Sequence, residues 1–377
     1  MKRTIFILSG LLLIVVTSAL NNGNGAAQQE ADSLRALYAR PVAFWPRPDI
    51  DSGAVWQEFA PILPDTMLPQ LLEQPQIKLG KTLFFDPRLS GSNQISCSSC
   101  HDPDLAWGDG RTVSLGHDHL QGSRNTPSLL NAGVAHKTFF WDGRSASLAD
   151  QAVNPIATHH EMNMEPALLS EKLGKITGYR KLFQAAYGSE QISIDRIVQA
   201  LAAFEGTIKS RTSRFDLFLM GNYRRLTDEE IQGLHLFRTK ARCMNCHNGQ
   251  YFTDDAFHNI GLTYYKRKYE DLGRYRITGN AADVGKFRTP SLRDVMLTRP
   301  WMHNGLFDNI EGVINIYNSG MQMMKPRPGQ EGDSLFPRTD PLMKELHLSP
   351  EEKKAVVAFL NAITGVPYKM RRPELPQ

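Results

Sequence analysis

Cysteine is nearly absent from this chain: there are 4 in 377 residues, and none lies outside two five-residue motifs. That scarcity excludes a disulfide scaffold, which packs many paired cysteines into a short chain. An excess of charge of one sign is also missing. The 43 Lys and Arg stand against 39 Asp and Glu, a formal net charge of +4, too little to draw the protein to nucleic acid. Beyond residue 20 no apolar run approaches the roughly 20 residues that a bilayer-spanning helix needs. What is present is an ordinary globular balance, 41% hydrophobic and 22% charged, with a length that suits about two domains.

The one long apolar stretch lies at the start. Lys2 and Arg3 precede the run from Ile5 to Val16, which gives way to small residues and the polar stretch Asn21 to Gln29. That order is the order of a secretory signal. Residues 1–27 are therefore expected to direct export, with cleavage after Ala19 or after Ala27. Left uncleaved, the same run would act as a membrane tether.

The cysteines fall as Cys97-Ser98-Ser99-Cys100-His101 and Cys243-Met244-Asn245-Cys246-His247. Each is a c-type haem attachment signature. Two thiols three positions apart reach the two vinyl groups of one porphyrin, and the adjacent imidazole is placed under the iron. A zinc ribbon sets its cysteine pairs about 15–20 residues apart, and a thioredoxin-like dithiol needs a βαβ context and no ligating histidine. Neither fits. Two covalently bound haem c groups are expected, attached at Cys97, Cys100, Cys243 and Cys246, with His101 and His247 as proximal ligands.

Helical patterning dominates, so the expected fold is mainly α: two cytochrome-c-like haem domains with long irregular loops. Ile194, Ile197, Val198, Leu201, Phe204 and Ile208 form an apolar stripe behind Ser193 as N-cap, predicting a helix from about 194 to 220. Thr227-Asp228-Glu229-Glu230 and Ser349-Pro350-Glu351-Glu352 read as capping boxes. They open the helix before the second motif and the last helix of the chain. With Gly221-Asn222-Tyr223 as junction, the chain divides into an N-terminal extension (28–77), a first haem domain (78–221), a second haem domain (222–365) and a tail (366–377). Segments 40–53 and 325–341, rich in Pro, Gly and Asp, are expected to run over the surface.

Further landmarks follow in order: Leu79-Gly80-Lys81-Thr82-Leu83-Phe84-Phe85-Asp86, Ser114-Leu115-Gly116-His117, Arg124-Asn125-Thr126-Pro127, Phe140-Trp141-Asp142-Gly143-Arg144, Phe257-His258-Asn259-Ile260-Gly261 and Thr289-Pro290-Ser291-Leu292-Arg293. On this series the chain resembles the bacterial dihaem cytochrome c peroxidase and MauG superfamily. The resemblance implies a periplasmic enzyme, often a homodimer, that reduces hydrogen peroxide to water. One haem is the peroxide site, and the other relays electrons from a small donor protein, a cytochrome c or a cupredoxin.

The resemblance also assigns residues. It makes the first motif the peroxidatic haem and gives His117 the place of a distal histidine that caps the resting iron. Glu161 takes the place of the catalytic acid–base, Gln151 that of its hydrogen-bonding companion, and Trp141 that of the inter-haem relay. Read without it, these are a loop histidine, a solvated carboxylate and a core tryptophan. An inter-domain Ca2+ is implied as well, held by the side-chain oxygen of Asn125 and the carbonyls of Thr298 and Pro300; oxygen-only ligation suits calcium.

The ligand opposite His247 separates two kinds of enzyme. Peroxidases of the best-known type place a methionine fourteen residues after the histidine of a motif that reads here Met302-His303-Asn304-Gly305, whereas this chain has Tyr317 there. MauG-type members place an axial tyrosine at that position. A Met ligand raises the haem potential and suits electron uptake, while tyrosinate lowers it. Met302, Met321, Met323 and Met324 are alternative ligands. Three functions therefore stay open: a peroxidase, a MauG-like oxidase that oxidises residues of a partner protein through high-valent haem, and a non-catalytic dihaem electron carrier.

Overall fold

The computed structural model describes residues 29, 31–321, 323–367 and 369–377; the expected export signal lies outside them. The fold is mainly helical. The one sheet among the described residues is a two-residue antiparallel pair, Phe257–His258 against Phe287–Arg288. No helix of the described residues is long and apolar enough to cross a membrane.

Two helix crossings, built alike, hold the two motifs. In the first half the Pro75–Phe85 helix crosses Ile194–Glu205; in the second, Asp228–Arg238 crosses Pro350–Ala362. Each crossing turns on one glycine. A Cβ at Gly80 would collide with the backbone of Ala200, and one at Gly233 with the backbone of Ala355. Four residues on from each glycine an aromatic ring fills the next layer. Phe84 meets Phe204 edge-on at 5.3 Å, and Phe237 meets Phe359 edge-on at 5.3 Å. Gly80-x-x-Leu83-Phe84 and Gly233-x-x-Leu236-Phe237 are thus one repeated device in which the missing side chain admits the partner backbone.

The caps work as the sequence suggests. The Ser193 hydroxyl accepts from the Arg196 amide, and Thr227 with Glu230 and Ser349 with Glu352 form full capping boxes. The expected helix from about 194 to 220, however, is two helices, Ile194–Glu205 and Arg214–Leu219. Between them the polar stretch Ser210 to Ser213 finds partners that a helix would deny it. Asn131 takes the Ser210 amide on Oδ1 and gives Nδ2 to the Ser210 hydroxyl, and Ser213 caps the second helix through a box with Asp216.

Packing changes sides at this break. One buried cluster holds residues from Ile77 to Ile208, joined by Met370 from the tail. The other holds Phe215 and Phe218 with residues from Leu226 to Ile363, and also Leu34, Tyr38, Trp45 and Phe59. Segment 40–53 is therefore not simply a surface run. Trp45 is buried beside Phe215 and Phe218, and its indole N–H donates to the carbonyls of Tyr38 and Arg40. The fully buried Arg238 locks the strap down, with Glu58 on its guanidinium and the carbonyl of Pro46 accepting from it at 2.8 Å. A Pro-rich stretch looks exposed because periodicity cannot reveal a partner 190 residues away in sequence.

Candidate functional site

Each cysteine motif begins as a tight turn, Cys97–Ser99 and Cys243–Asn245, and each histidine amide bonds back to the first cysteine carbonyl, at 3.0 Å for His101 and 2.8 Å for His247. The imidazoles are oriented in the same way. His101 Nδ1 lies 3.1 Å from the Trp107 carbonyl and His247 Nδ1 lies 3.1 Å from the Phe252 carbonyl. Trp107 and Phe252 both sit in left-handed backbone (φ 63° and 53°), which turns the carbonyl inward. With Nδ1 engaged, Nε2 is left for a metal, the arrangement that fixes the tautomer of a ligating histidine.

Both motifs line one continuous cavity of about 660 Å³. Burial holds all its thiols neutral: it pushes Cys100 up to about 11 and Cys243 up to about 12, and raises Cys97 and Cys246 too. Burial also lowers the pKa of His101 and His247, favouring the neutral imidazole that binds iron. Paired thiols, a free Nε2 and a largely apolar cavity are a donor set that fits haem c at each motif.

The wall near the first motif is polar. Gln151, His160 and Glu161 line it, and Glu161 is near enough to Cys100 to raise that thiol further. Gln151 lies on the Leu148–Ala157 helix, capped by Ser147 and carrying Pro155 inside it. Because proline lacks an N–H, it leaves the carbonyl four residues back, that of Gln151, without its helical partner. Burial raises the pKa of the Glu161 carboxyl, against the opposing pull of His160 and Arg144, and its side chain stays 39% exposed, within reach of solvent. Its loop is stitched to the one before it. The Glu161 carbonyl accepts from the His117 amide at 2.8 Å, and a Cβ at Gly116 would meet the backbone of His160 and Glu161.

That stitch holds His117 beside Glu161, yet its ring is not among the cavity-lining residues. Nε2 lies 3.3 Å from the Asp118 carboxylate and the ring packs edge-on against His159 at 5.7 Å. Trp141 lines the cavity and donates its indole N–H to the Asn125 carbonyl at 2.9 Å.

Asn125, Thr298 and Pro300 share that cavity wall. Asn125 spends Nδ2 on the Arg111 carbonyl at 2.9 Å, which turns Oδ1 the other way. The three residues offer neutral oxygens, a set that fits a weakly held calcium.

Around the second motif the wall changes character. Ile310, Val313, Ile314 and Tyr317 line it from one face of the Ile310–Asn318 helix. Burial, helped by the nearby Cys246 and Cys243 thiols, pushes the Tyr317 phenol well above its ordinary pKa. Of the four alternative methionines, Met302 lines the cavity; Met321 and Met323 are not among its lining residues, and Met323 and Met324 line a separate small depression.

Two lining groups escaped the sequence reading. Glu205 ends the Ile194–Glu205 helix, buried with Oε2 unpartnered, and Arg288 is buried with Nη1 lacking a hydrogen-bond partner. Glu205 follows Leu201 by four residues on the apolar stripe, so an acid on an otherwise apolar face was the available signal. Arg288 lies in a loop-rich stretch with no periodicity to betray it.

Comparison with known proteins agrees with this geometry. Residues 74–224 match the family model described as di-haem cytochrome c peroxidase. The methylamine utilization protein MauG of Methylophilus methylotrophus is 37% identical over 322 residues, covering 83% of this chain and 90% of that protein. The cytochrome-c peroxidase IdrP2 of Pseudomonas sp. (strain SCT) is 37% identical over 328 residues, covering 80% of this chain and 84% of its own. Among solved structures, a MauG-like protein associated with microbial copper homeostasis superposes with a TM-score of 0.69 at 32% identity, covering 85% of this chain and 93% of that one. The chain belongs to the di-haem cytochrome c peroxidase family, which also holds MauG, and is a peroxidase-type oxidoreductase.

Proposed function

We propose that the chain is an exported dihaem c-type peroxidase that reduces hydrogen peroxide to water, with electrons entering at the second haem from a small cytochrome c or cupredoxin. The observation that carries this reading is the carboxyl of Glu161 on the cavity wall by the first motif, with Gln151 alongside. The haems, when bound, supply the two electrons. Glu161 would take the proton from one peroxide oxygen and return it to the other as the O–O bond breaks, releasing one water. Two protons from solvent would complete the second water with the two electrons, and Gln151 would orient the peroxide by hydrogen bonding. A carboxyl whose pKa is raised by burial suits that exchange near neutrality. Trp141, on the cavity wall that both motifs share, would serve as an electron relay, and Asn125, Thr298 and Pro300 would hold Ca2+.

A second reading, MauG-like oxidation of a partner protein, is favoured by Tyr317, whose phenol faces the second motif where a peroxidase of the best-known type would have methionine. Low-temperature EPR and visible spectra of the holoprotein, oxidised and half-reduced, separate the two. A second haem with His/Met ligation, and a first haem that becomes five-coordinate on half-reduction, sustain the electron-fed peroxidase. A His/Tyr second haem together with peroxide-dependent oxidation of a partner, and no turnover with reduced cytochrome c or cupredoxin, sinks it. Two permanently six-coordinate irons would leave an electron carrier.

A further inference from the structure

Glu205 plays no part in the reading above, yet it is the most isolated acid on the cavity wall. The residue is 5% exposed, Oε2 has no hydrogen-bond partner, and it lines the cavity one turn beyond Leu201. It lies near enough to Cys97 to raise that thiol's pKa. A buried carboxyl oxygen without a partner is costly, and native structures keep few of them.

The elements packed round it bring no countercharge. On Pro75–Phe85, Lys78 pairs with Glu73, and Lys81 responds to Glu73, Arg371 and Lys78. On Leu148–Ala157, Asp150 accepts from the Ala146 amide; Ala132–Ala135 has no ionisable side chain. On Pro166–Gly174, Glu171 pairs with Lys175 and Lys172 donates to the Ser90 carbonyl. The remaining titratable neighbour, the Cys97 thiol, is consumed when it becomes a thioether. Haem is then the charged group that Glu205 would face in a largely enclosed cavity, where charges interact more strongly than in water.

The geometry points to Glu205 as the redox-linked proton acceptor of the first haem: its carboxylate takes one proton from solvent when that haem gains an electron, and releases it when the electron leaves. The inference rests on the first motif carrying haem. One electron comes from the donor, one proton from water, and the only bond made is the O–H of the carboxyl. Reduction removes one positive charge from the cavity and so favours the neutral acid; oxidation favours the carboxylate. Burial already lifts the Glu205 pKa to about 8, and its place at a helix C-terminus disfavours the anion further. The exchange therefore falls near working pH, and the cavity keeps a constant charge while an electron is stored in it.

The test is the midpoint potential of the first haem in the holoprotein, followed by spectroelectrochemistry from about pH 6 to pH 9. One proton per electron is a tenfold change in equilibrium per pH unit, about 59 mV for a one-electron couple. The wild type should approach that slope over part of the range, Glu205→Gln should be flat, and Glu161→Gln should keep the slope. A slope retained in Glu205→Gln, or abolished by Glu161→Gln, overturns the proposal. Infrared difference spectra of the wild type give a second measurement that needs no variant to fold. A protonated-carboxyl band should appear on reduction of the first haem, and its absence overturns the proposal too. Fewer than two c-type haems by pyridine haemochrome assay would instead fail the underlying reading.

Discussion

Near the first motif the cavity wall is Gln151, His160 and Glu161; near the second it is Ile310, Val313, Ile314 and Tyr317. Three devices beneath those walls are shared. Both halves have the glycine crossing, the edge-on phenylalanines at 5.3 Å and the histidine held at 3.1 Å by a left-handed residue's carbonyl. The scaffold that grips a haem is thus repeated, while the wall facing the cavity is free to differ. The first wall carries a carboxyl with Gln151 and His160, and the second offers a phenol on an apolar helix face, with His258 nearby. Such a division of labour predicts that changes to the walls alter chemistry and leave haem attachment alone.

The largest expected effect removes the difference at the first wall. Glu161→Gln keeps the shape and deletes the proposed proton carrier, so kcat/KM for peroxide should fall about 10²- to 10⁴-fold, with two haems still counted by pyridine haemochrome assay. Turnover within a few-fold of the wild type would remove Glu161 from the proton path.

Next comes the shared scaffold. Gly80→Leu and Gly233→Leu each drive a side chain into the backbone of the crossing helix, at Ala200 or Ala355. Each should cost about 3 kcal/mol, the upper range of overpacking, because a backbone cannot step aside as a side chain can. Denaturant unfolding midpoints of the two variants should fall together. A large loss in one and none in the other would break the equivalence of the halves.

How far this was visible beforehand depends on the range of the forces involved. Cysteine pairs, their adjacent histidines and capping boxes are each set within five residues of chain, so Cys97–His101, Cys243–His247, Thr227–Glu230 and Ser349–Glu352 could be read locally. The boundary at 205 was missed because the apolar stripe runs on to Ile208, while the break is imposed by Asn131 from another part of the chain. Trp45 and Arg238 pair across a distance that no local pattern encodes. That Glu161 and Tyr317 line the cavity could be expected through family resemblance alone, since a lone Glu or Tyr carries no sign of what it faces. His117 shows the limit of position as a guide. Its backbone is tied to Glu161, but its ring lies against Asp118 and His159 and not on the cavity wall.

At the second wall, Tyr317→Met exchanges a phenol for a soft thioether on the same helix face. It should raise the potential of the second haem on the order of 0.1 V, about 2.3 kcal/mol per electron, a fraction of the span that axial ligands cover. The first haem should not move. A redox titration that shifts both haems, or neither, would detach Tyr317 from the second iron and weaken the contrast between the walls.

The smallest effect tests a device that the first half lacks. His258 is clamped between Asp254 at 2.9 Å and Asp340 at 2.7 Å, and its side chain is also bonded to Cys246. Burial alone would lower its pKa, but the hydrogen bonds to Asp254, Asp340 and Cys246, with the Coulombic pull of Cys246, together outweigh burial and push it up to about 12. Burial raises the two carboxyls, but His258 together with the amide donors of Ala256 and Leu342 outweighs it, so both lie below their ordinary range. The imidazolium's contribution to stability is complete below the unfolded histidine value near 6.5 and fades as pH rises toward about 12; that of the carboxylates is complete above about 4 and fades as they protonate. The clamp is therefore strongest between about pH 4 and pH 6.5. Asp340→Asn removes one charged arm and should cost about 2 kcal/mol inside that window, the worth of a charge-assisted hydrogen bond, with the loss shrinking at higher pH. Unfolding midpoints measured near pH 6 and pH 10 check this directly, because a loss equal at both would mean that Asp340 holds its loop through the backbone bond from its amide to the Asn259 carbonyl at 2.8 Å and not through the charge on His258.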